Sequence, residues 1–448
     1  MKRILKRKID RFLKEWKNRT KKLPLIVKGA RQVGKTASIR IFAHKNYKHF
    51  VEINFALQTE FRSIFDQGFA VDTIIKNISF INPGFIFEPG KTLIFFDELQ
   101  ALPNCATSLK SFKEDGRYDV ICSGSLMGLS YQAIESNSVG YKEEYQMYAM
   151  DFEEFLWAKG YRKNQIEDIY GYLKNVRAIP DVQFNVLSEC FKDYLVTGGM
   201  PAVVKTFIKQ KNYSGCLKLQ RMLLRGYEED ITKYAAGLDK AKILNVYRSI
   251  PVFLGQENKK FHISKVAPHA RSRDYIGIAD WLKDAGIVNI CYCLNLPELP
   301  LKGNCDYAKY KMYYHDTGLL IASLDDEAQE DLRKNKNFNI YKGAVFENIA
   351  AQMLVCAGYN LFFYKNEKST IEMDFFVRDK TSLIPVEVKA RDGATASLNN
   401  LIRQKKYADI RYGIKLCAKN IGFNGSFYTI PYFLIFMLKR FLSEKEEN

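Results

Sequence analysis

Hydrophobic positions recur at helical spacing near the start of the chain. Ile4, Leu5, Ile9, Phe12, Leu13 and Trp16 line one face of a helix predicted over residues 1–20. Residues 23–28 (Leu-Pro-Leu-Ile-Val-Lys) read as a buried strand, followed by a helix over 36–43. Further strands are predicted at 49–55, 92–96 and 118–122. Strands alternating with helices predict a parallel sheet covered on both faces, with ligands gathered at the carboxyl ends of its strands. From about 153 to 240 the period is helical. A mixed segment follows, in which a helix from Asp280 to Ala285-Gly286 runs into apolar strands at 288–294 and 311–314, the outline of a winged helix. Residues 325–337 are almost wholly polar and read as a surface helix or linker. Beyond them come a helix near 343–357 and three strand-like runs. The expected organisation is a basic helix over 1–20, an α/β unit with a helical lid over 21–210, a winged-helix-like segment over 211–330 and an α/β domain over 338–448. A length of 448 residues suits about three such domains.

The chemistry begins where the first strand ends. Gly29-Ala30-Arg31-Gln32-Val33-Gly34-Lys35-Thr36 has the spacing of a phosphate-binding loop. Its glycines let backbone N–H groups wrap phosphates, and the helix that follows directs its positive end at them. Lys35 is expected to reach the β- and γ-phosphates of ATP, and the Thr36 hydroxyl to ligate Mg²⁺. Asp97, at the exit of a strand with four consecutive apolar residues at 93–96, is expected to hold the same ion. Glu98 is placed to orient or deprotonate the attacking water. The alternative for Asp97-Glu98 is a helix N-cap pair. Ser123, ending the next strand, is a candidate γ-phosphate sensor, although Ser-Gly-Ser is also ordinary turn chemistry.

Charge adds a second theme. Lys and Arg total 68 against 50 Asp and Glu, a formal net charge of +18. The surplus suits either solubility or a polyanionic partner, with DNA expected ahead of RNA. Residues 1–22 carry eleven basic side chains against Asp10 and Glu15, which reads as a solvated face, a phosphate contact or a membrane-surface helix. In the middle segment His269, Arg271, Arg273 and Lys283 are candidate phosphate contacts. His269 and His315 stand alone and read as structural. The nine cysteines form no paired CxxC clusters, which argues against zinc and fits a reducing cytoplasm. Cys291 and Cys293 are expected on one face of a strand. No apolar run is long enough to span a bilayer.

Near the end, Asp374 lies thirteen residues before Glu387, Glu387-x-Lys389 lies on the next strand, and Glu347 lies on a preceding helix. Carboxylates from adjacent strands can converge on Mg²⁺ while the lysine positions water or offsets phosphate charge. Gln404 and Tyr407, on a following helix, are candidate phosphate or base contacts. The alternative is a strand with a solvated Glu/Lys face.

Taken together, the loop, Phe95–Gln100 (Phe-Phe-Asp-Glu-Leu-Gln), Ser123-Gly-Ser125 and Met150–Leu156 (Met-Asp-Phe-Glu-Glu-Phe-Leu) resemble a prokaryotic AAA+ family of P-loop ATPases. In that family the ATPase is followed by a domain of unknown function numbered 4143. Gly198-Gly-Met-Pro-Ala-Val203, Tyr313-Tyr-His-Asp-Thr-Gly-Leu-Leu320 and Gly343-Ala-Val-Phe-Glu-Asn348 extend the likeness over most of the chain. The middle segment of relatives looks like a winged helix, and the tail resembles the restriction-endonuclease-like (Asp…Glu-x-Lys) superfold. Many relatives carry a Gly-Arg pair before the Phe-Glu-Glu-Phe segment, whereas Gly140 is followed here by Tyr141, so no arginine finger is placed. The resemblance implies a Mg²⁺-dependent cytoplasmic ATPase that forms homo-oligomers, with a nucleic-acid-binding and nuclease-like tail and no integral membrane segment. The alternative is an ATP-driven regulatory or partner-sensing switch whose DNA-binding tail is catalytically inactive.

Overall fold

The computed structural model describes residues 5–125, 140–235, 239–256, 259–268, 270–324, 340–366, 371–390 and 393–445. His269 and the polar run 325–337 lie outside them. The chain divides into two compact units, one of Met1–Ala149 with the short pieces Lys233–Ala236 and Asp284–Gly286, the other of the remaining residues. Among the described residues no helix is long and apolar enough to cross a membrane.

The first unit is α/β. Its helices are α1 (Lys8–Lys17), α2 (Lys35–Asn46), α3 (Val71–Ile81) and α4 (Cys105–Asp115). Its strands are β1 (Leu25–Gly29), β2 (His49–Asn54), β3 (Thr92–Asp97), β4 (Asp119–Ser125) and β5 (Glu143–Gln146), in the order β2-β3-β4-β1-β5. Every pairing is parallel, so both faces need cover, and β1 and β3 are buried along their whole length. β4 runs beyond its predicted end because Ser125 pairs with Gly29. β5 was not predicted; its alternation of half-buried and exposed positions marks a sheet edge. The N-terminal helix is shorter than expected. Its apolar face is covered: Ile9, Leu13 and Trp16 are buried against α2, and the Trp16 indole donates to Leu23 O at 2.8 Å. Burying each of these side chains contributes roughly 1.5–3 kcal/mol.

The second unit opens with helices α5 (Phe152–Lys159), α6 (Lys163–Lys174), α7 (Asp181–Thr197), α8 (Pro201–Gln210), α9 (Cys216–Tyr234) and α10 (Lys240–Leu254). The predicted helix and two strands of the middle segment follow as α11 (Ile278–Asp284), β6 (Val288–Leu294) and β7 (Cys305–Tyr314), the last beginning before the predicted 311–314, and then α12 (Thr317–Ala322). Cys291 and Cys293 are both buried, on one face of β6. The last part holds α13 (Ile340–Cys356), β8 (Leu361–Lys365), β9 (Glu372–Met373), β10 (Phe375–Arg378), β11 (Leu383–Val388), α14 (Ala396–Ile402), β12 (Gly413–Cys417), β13 (Gly422–Phe423), β14 (Phe427–Pro431) and α15 (Leu438–Lys445). Seven short strands thus replace the three predicted runs. They divide between a mixed five-stranded sheet, β10-β11-β12-β14-β13, and a four-stranded sheet, β7-β6-β8-β9. In the latter, β6 pairs antiparallel with β7 and parallel with β8, so the middle hairpin and the tail share one sheet.

The later motifs meet in the interior of this unit. Asp151 caps α5 by accepting from Glu154 N–H at 2.9 Å, and Glu154 returns the bond to Asp151 N–H at 3.3 Å, a reciprocal capping box. Asp316 caps α12 through Leu319 N–H at 3.2 Å and also accepts from Gly199 N–H at 2.6 Å. It is fully buried, and burial pushes its carboxyl up to about 6 against the pull of those backbone donors. Gly199 passes so close to Met150 that a Cβ would lie 1.9 Å from its carbonyl oxygen. Asn348 accepts from Tyr314 N–H at 2.8 Å and donates to the Thr317 hydroxyl at 2.9 Å. Gln352 accepts from Thr317 N–H at 2.8 Å and donates to Tyr194 Oη at 3.0 Å, whose proton goes to Met150 O at 2.8 Å.

Gly199→Ala is therefore expected to cost ~3 kcal/mol or more, because the three obstructing atoms, Met150 O, C and N, are all backbone. Gly171→Ala, in α6 with nothing within 4 Å of the added carbon, should instead stabilise by ~0.5–1 kcal/mol. Urea unfolding of both variants checks the pair; equal effects of the two would show that the close approach at Gly199 does not constrain the fold.

Candidate functional site

Gly29 ends β1 at a point where a Cβ would lie 2.2 Å from Met147 O, so the chain can turn there only as glycine. The loop then runs through Gln32, at φ +65°, to Gly34, at φ +101°. Gly34 stands at the N-cap of α2 and has no side chain to cap it. The first-turn N–H groups of a helix lack intrahelical acceptors, which leaves this end suited to an anion. Lys35 is buried and its Nζ donates to the carbonyls of Gly29 and Ala30, both at 2.9 Å. Burial pushes its ammonium down to about 8, opposed by the nearby Glu98 and Asp97 carboxylates and reinforced by Arg31.

Strand register assembles the rest. Asn54 lies opposite Asp97 on β2, and the pairing of Phe96 with Cys122 sets Ser123 beside Asp97 on β4. The buried Asp97 carboxylate accepts from Thr36 Oγ1 at 3.1 Å, Asn54 Nδ2 at 3.2 Å, Glu98 N–H at 3.0 Å and the Ser123 hydroxyl. Hydrogen bonds to a charged group contribute ~1.5–3 kcal/mol each, enough to hold a buried carboxylate in one orientation. Glu98 is half-buried, has φ +59° and ψ +50°, and its carboxylate accepts from Gln100 Nε2. Gln100 Oε1 in turn accepts from Ser125 N–H at 3.2 Å. Glu98 precedes the turn Leu99–Ala101 without a side-chain capping bond, so the N-cap alternative does not describe this pair.

This donor set fits Mg²⁺. The Thr36 hydroxyl and the Asp97 carboxylate offer oxygen only, and Mg²⁺ takes one or two protein oxygens and completes its shell from water and phosphate. Among the described residues no group of three or more His, Cys, Asp and Glu side chains is arranged to hold a metal.

Three residues of this site, Asn54, Gln100 and Arg7, have no role assigned from the sequence, although Gln100 ends the Phe95–Gln100 motif. Arg7 sits in the basic N-terminal run yet is buried. Its Nη1 donates to Val33 O at 2.6 Å and its Nη2 to Tyr148 O at 2.8 Å, so it grips the loop from behind.

The tail residues are placed differently. Glu347, on α13, is buried and pairs with Lys259, with the Tyr313 hydroxyl at 3.2 Å and with Lys311 at 3.7 Å. Asp374 shares that charge cluster: burial and Glu347 push its carboxyl up to about 7, while Lys311 and Lys259 pull the other way. Glu387 pairs with Lys389 at 2.8 Å. Tyr407 does not offer itself to a ligand. It follows the end of α14, is buried, and shares a hydrogen bond of 3.3 Å with Tyr364. His315 is structural, as expected: its Nδ1 lies 3.0 Å from Ile287 O and burial lowers it to about 4. Arg271 and Arg273 are exposed, and Lys283 lies 5.3 Å from the Tyr292 ring.

Residues 21–156 match the AAA domain family, and residues 342–434 match the domain of unknown function 4143, the two assignments that the sequence motifs imply. Residues 188–330 match a further domain of unknown function, numbered 8612. No curated protein matches the chain. Among solved structures it is similar to the Walker-type ATPase paby2304 of Pyrococcus abyssi, at 14% identity over 71% of this chain and 96% of that one, with a TM-score of 0.44. It is also similar to the RuvB Holliday junction branch migration motor of Thermotoga maritima, at 13% identity over 63% and 89%, TM-score 0.30. A third is the Orc1 protein of Aeropyrum pernix in complex with DNA, at 12% identity over 75% and 94%, TM-score 0.31.

Arg7→Met removes the bond to Val33 in the loop and the bond to Tyr148 beside it, and should weaken nucleotide binding about tenfold, ~1.4 kcal/mol. Titration with a fluorescent ATP analogue reads this directly; unchanged affinity would mean that the loop holds its shape without Arg7.

Proposed function

We propose that the α/β unit binds ATP with Mg²⁺ and hydrolyses it, and that the C-terminal part of the chain binds nucleic acid, DNA ahead of RNA. The observation that carries the ATPase reading is the junction of Thr36, Asp97 and Lys35 behind an uncapped helix end. In this reading the N–H groups of residues 30–36 hold the phosphates and Lys35 moves its ammonium from the Gly29 and Ala30 carbonyls to the β- and γ-phosphate oxygens. Thr36 and Asp97 would hold the ion, which when bound would offset charge developing on the transferred phosphoryl group. Glu98 orients the attacking water and accepts its proton, and Ser123 positions Asp97 and so reports on the γ-phosphate. Positioning and charge stabilisation supply most of the rate in such transfers, so the pre-ordered Asp97 is central. Homo-oligomers are part of the proposal, since Gly140 is followed by Tyr141 where many relatives carry a Gly-Arg pair and the sequence places no arginine finger.

The nucleic-acid part rests on the net charge of +18 and on the mixed sheet that sets Glu387 and Lys389 at the carboxyl end of β11. All nine cysteines are free thiols, which supports a cytoplasmic setting. A restriction-endonuclease-like tail that cuts is the finer version of this reading. The second reading, an ATP-driven switch with a tail that grips without cutting, is favoured by the lysines bound to Glu347.

Lys35→Ala should abolish nucleotide binding, while Glu98→Gln should keep binding and lower turnover by ~10²–10⁴-fold. Phosphate release and nucleotide titration separate the two, and normal turnover in Glu98→Gln would remove Glu98 from the mechanism. Turnover measured with single-stranded, duplex and branched DNA and with RNA tests the coupling. Mg²⁺-dependent strand cleavage that disappears in Lys389→Ala would establish a cutting tail; no cleavage of any substrate would leave the switch.

A further inference from the structure

A divalent cation in the tail would need carboxylate oxygens that converge and are not already neutralised. Glu347 does not offer them. One of its oxygens accepts from Lys259 Nζ; the other accepts from Tyr313 Oη at 3.2 Å and lies 3.7 Å from Lys311 Nζ. Lys311 is only 1% exposed, lies 4.9 Å from the Phe363 ring and also reaches Glu372 at 3.3 Å. Lys365 takes the other Glu372 oxygen at 2.9 Å. Asp374 spends one oxygen on Val388 N–H at 2.8 Å. Glu387 keeps one buried oxygen without a hydrogen-bond partner, but Lys389 holds the other. Three carboxylates, Glu347, Asp374 and Glu372, therefore face three lysines, Lys259, Lys311 and Lys365.

A buried ammonium persists only where carboxylates surround it, and breaking one partner away leaves an uncompensated charge. An incoming metal ion would have to displace Lys311 from β7, where the backbone fixes it, or lie beside it against like charge. We propose that Lys259 and Lys311 hold the place of a metal's charge, so that the tail's acidic pocket is neutralised by the protein itself and the tail contacts nucleic acid without a divalent cation. From the proposed function this takes only that the tail contacts nucleic acid.

The first measurement is Mn²⁺ binding to the full chain without nucleotide, followed by electron paramagnetic resonance. Wild type, Asp374→Asn and Glu387→Gln should bind the same number of ions; loss of one equivalent in either variant overturns the proposal. In the second, Lys311→Met should lower the melting midpoint by on the order of 10 °C. Adding Glu347→Gln should recover at least half of that loss, since the unpaired charge is then gone. Failure to recover means that Lys311 acts by packing alone and also overturns it. If Lys311→Met does not fold, Lys259→Gln with and without Glu347→Gln supplies the same comparison. DNA binding by anisotropy should be equal in Mg²⁺ and in chelator, and loss on chelation counts against the lysines. Absence of DNA binding in both conditions would sink the nucleic-acid reading instead, with the Mn²⁺ isotherm still deciding the inference.

Discussion

An ionised carboxylate taken out of water costs several kcal/mol unless other donors replace its hydration. Asp97, Asp316 and Glu347 each meet that constraint with donors drawn from distant parts of the chain, and each organises the region around it. Asp97 collects Thr36, Asn54 and Ser123, which ties the first helix after the loop to two neighbouring strands. Asp316 joins the start of α12 to Gly199, 117 residues earlier. Glu347 joins α13 to Lys259 and to β7. Hydrophobic burial makes the two units compact, but it is permissive about detail. The paired carboxylates are the contacts that admit few alternatives.

The motifs that carry the family resemblance divide along this line. Those before residue 126 build the phosphate loop and its acidic partner. Those after residue 149 build buried packing: a capping box at Asp151, a close backbone approach at Gly199, a cap at Asp316, and the side chains of Asn348 and Gln352 that satisfy backbone groups of 314–317. An aspartate in the run His-Asp-Thr-Gly looks reactive in a sequence, yet here its oxygens are spent on backbone N–H groups. A recurring polar residue can thus serve packing or chemistry, and only its partners tell which.

The phosphate loop was legible because its chemistry is local: eight consecutive residues supply the turn, the lysine and the hydroxyl. Asp97-Glu98 was legible because an apolar run of strand length ends on it. Asn54 and Gln100 were not, since an Asn at a strand end and a Gln in a short turn become partners of the carboxylates only through parallel register. Arg7 looked like one more charge in a basic run, and its burial depends on Val33 and Tyr148 arriving together. Tyr407 misled in the opposite sense. A tyrosine in a basic stretch reads as exposed, but the turn after α14 directs it into the core beside Tyr364. The parallel pairing of β6 with β8 joins segments 67 residues apart between Leu294 and Leu361, and no periodicity in either strand announces its neighbour.

Glu98 shows how local strain and long-range order combine. A glutamate at φ +59° costs ~1–3 kcal/mol, and glycine or asparagine would sit there more easily. In a continuing strand Asp97 and its successor would point to opposite faces of the sheet. The left-handed turn breaks that alternation, and both carboxylates now act on the same ammonium, Lys35. Asp97 stabilises the turn by accepting Glu98 N–H, and Gln100 ties the Glu98 side chain back to the end of β4. The strain is thus held by bonds that the same turn makes available. Replacing Glu98 by glycine or asparagine would relieve the strain but remove the second carboxylate from the loop, which is a physical reason for a strained residue to persist where a relaxed one would fit the backbone better.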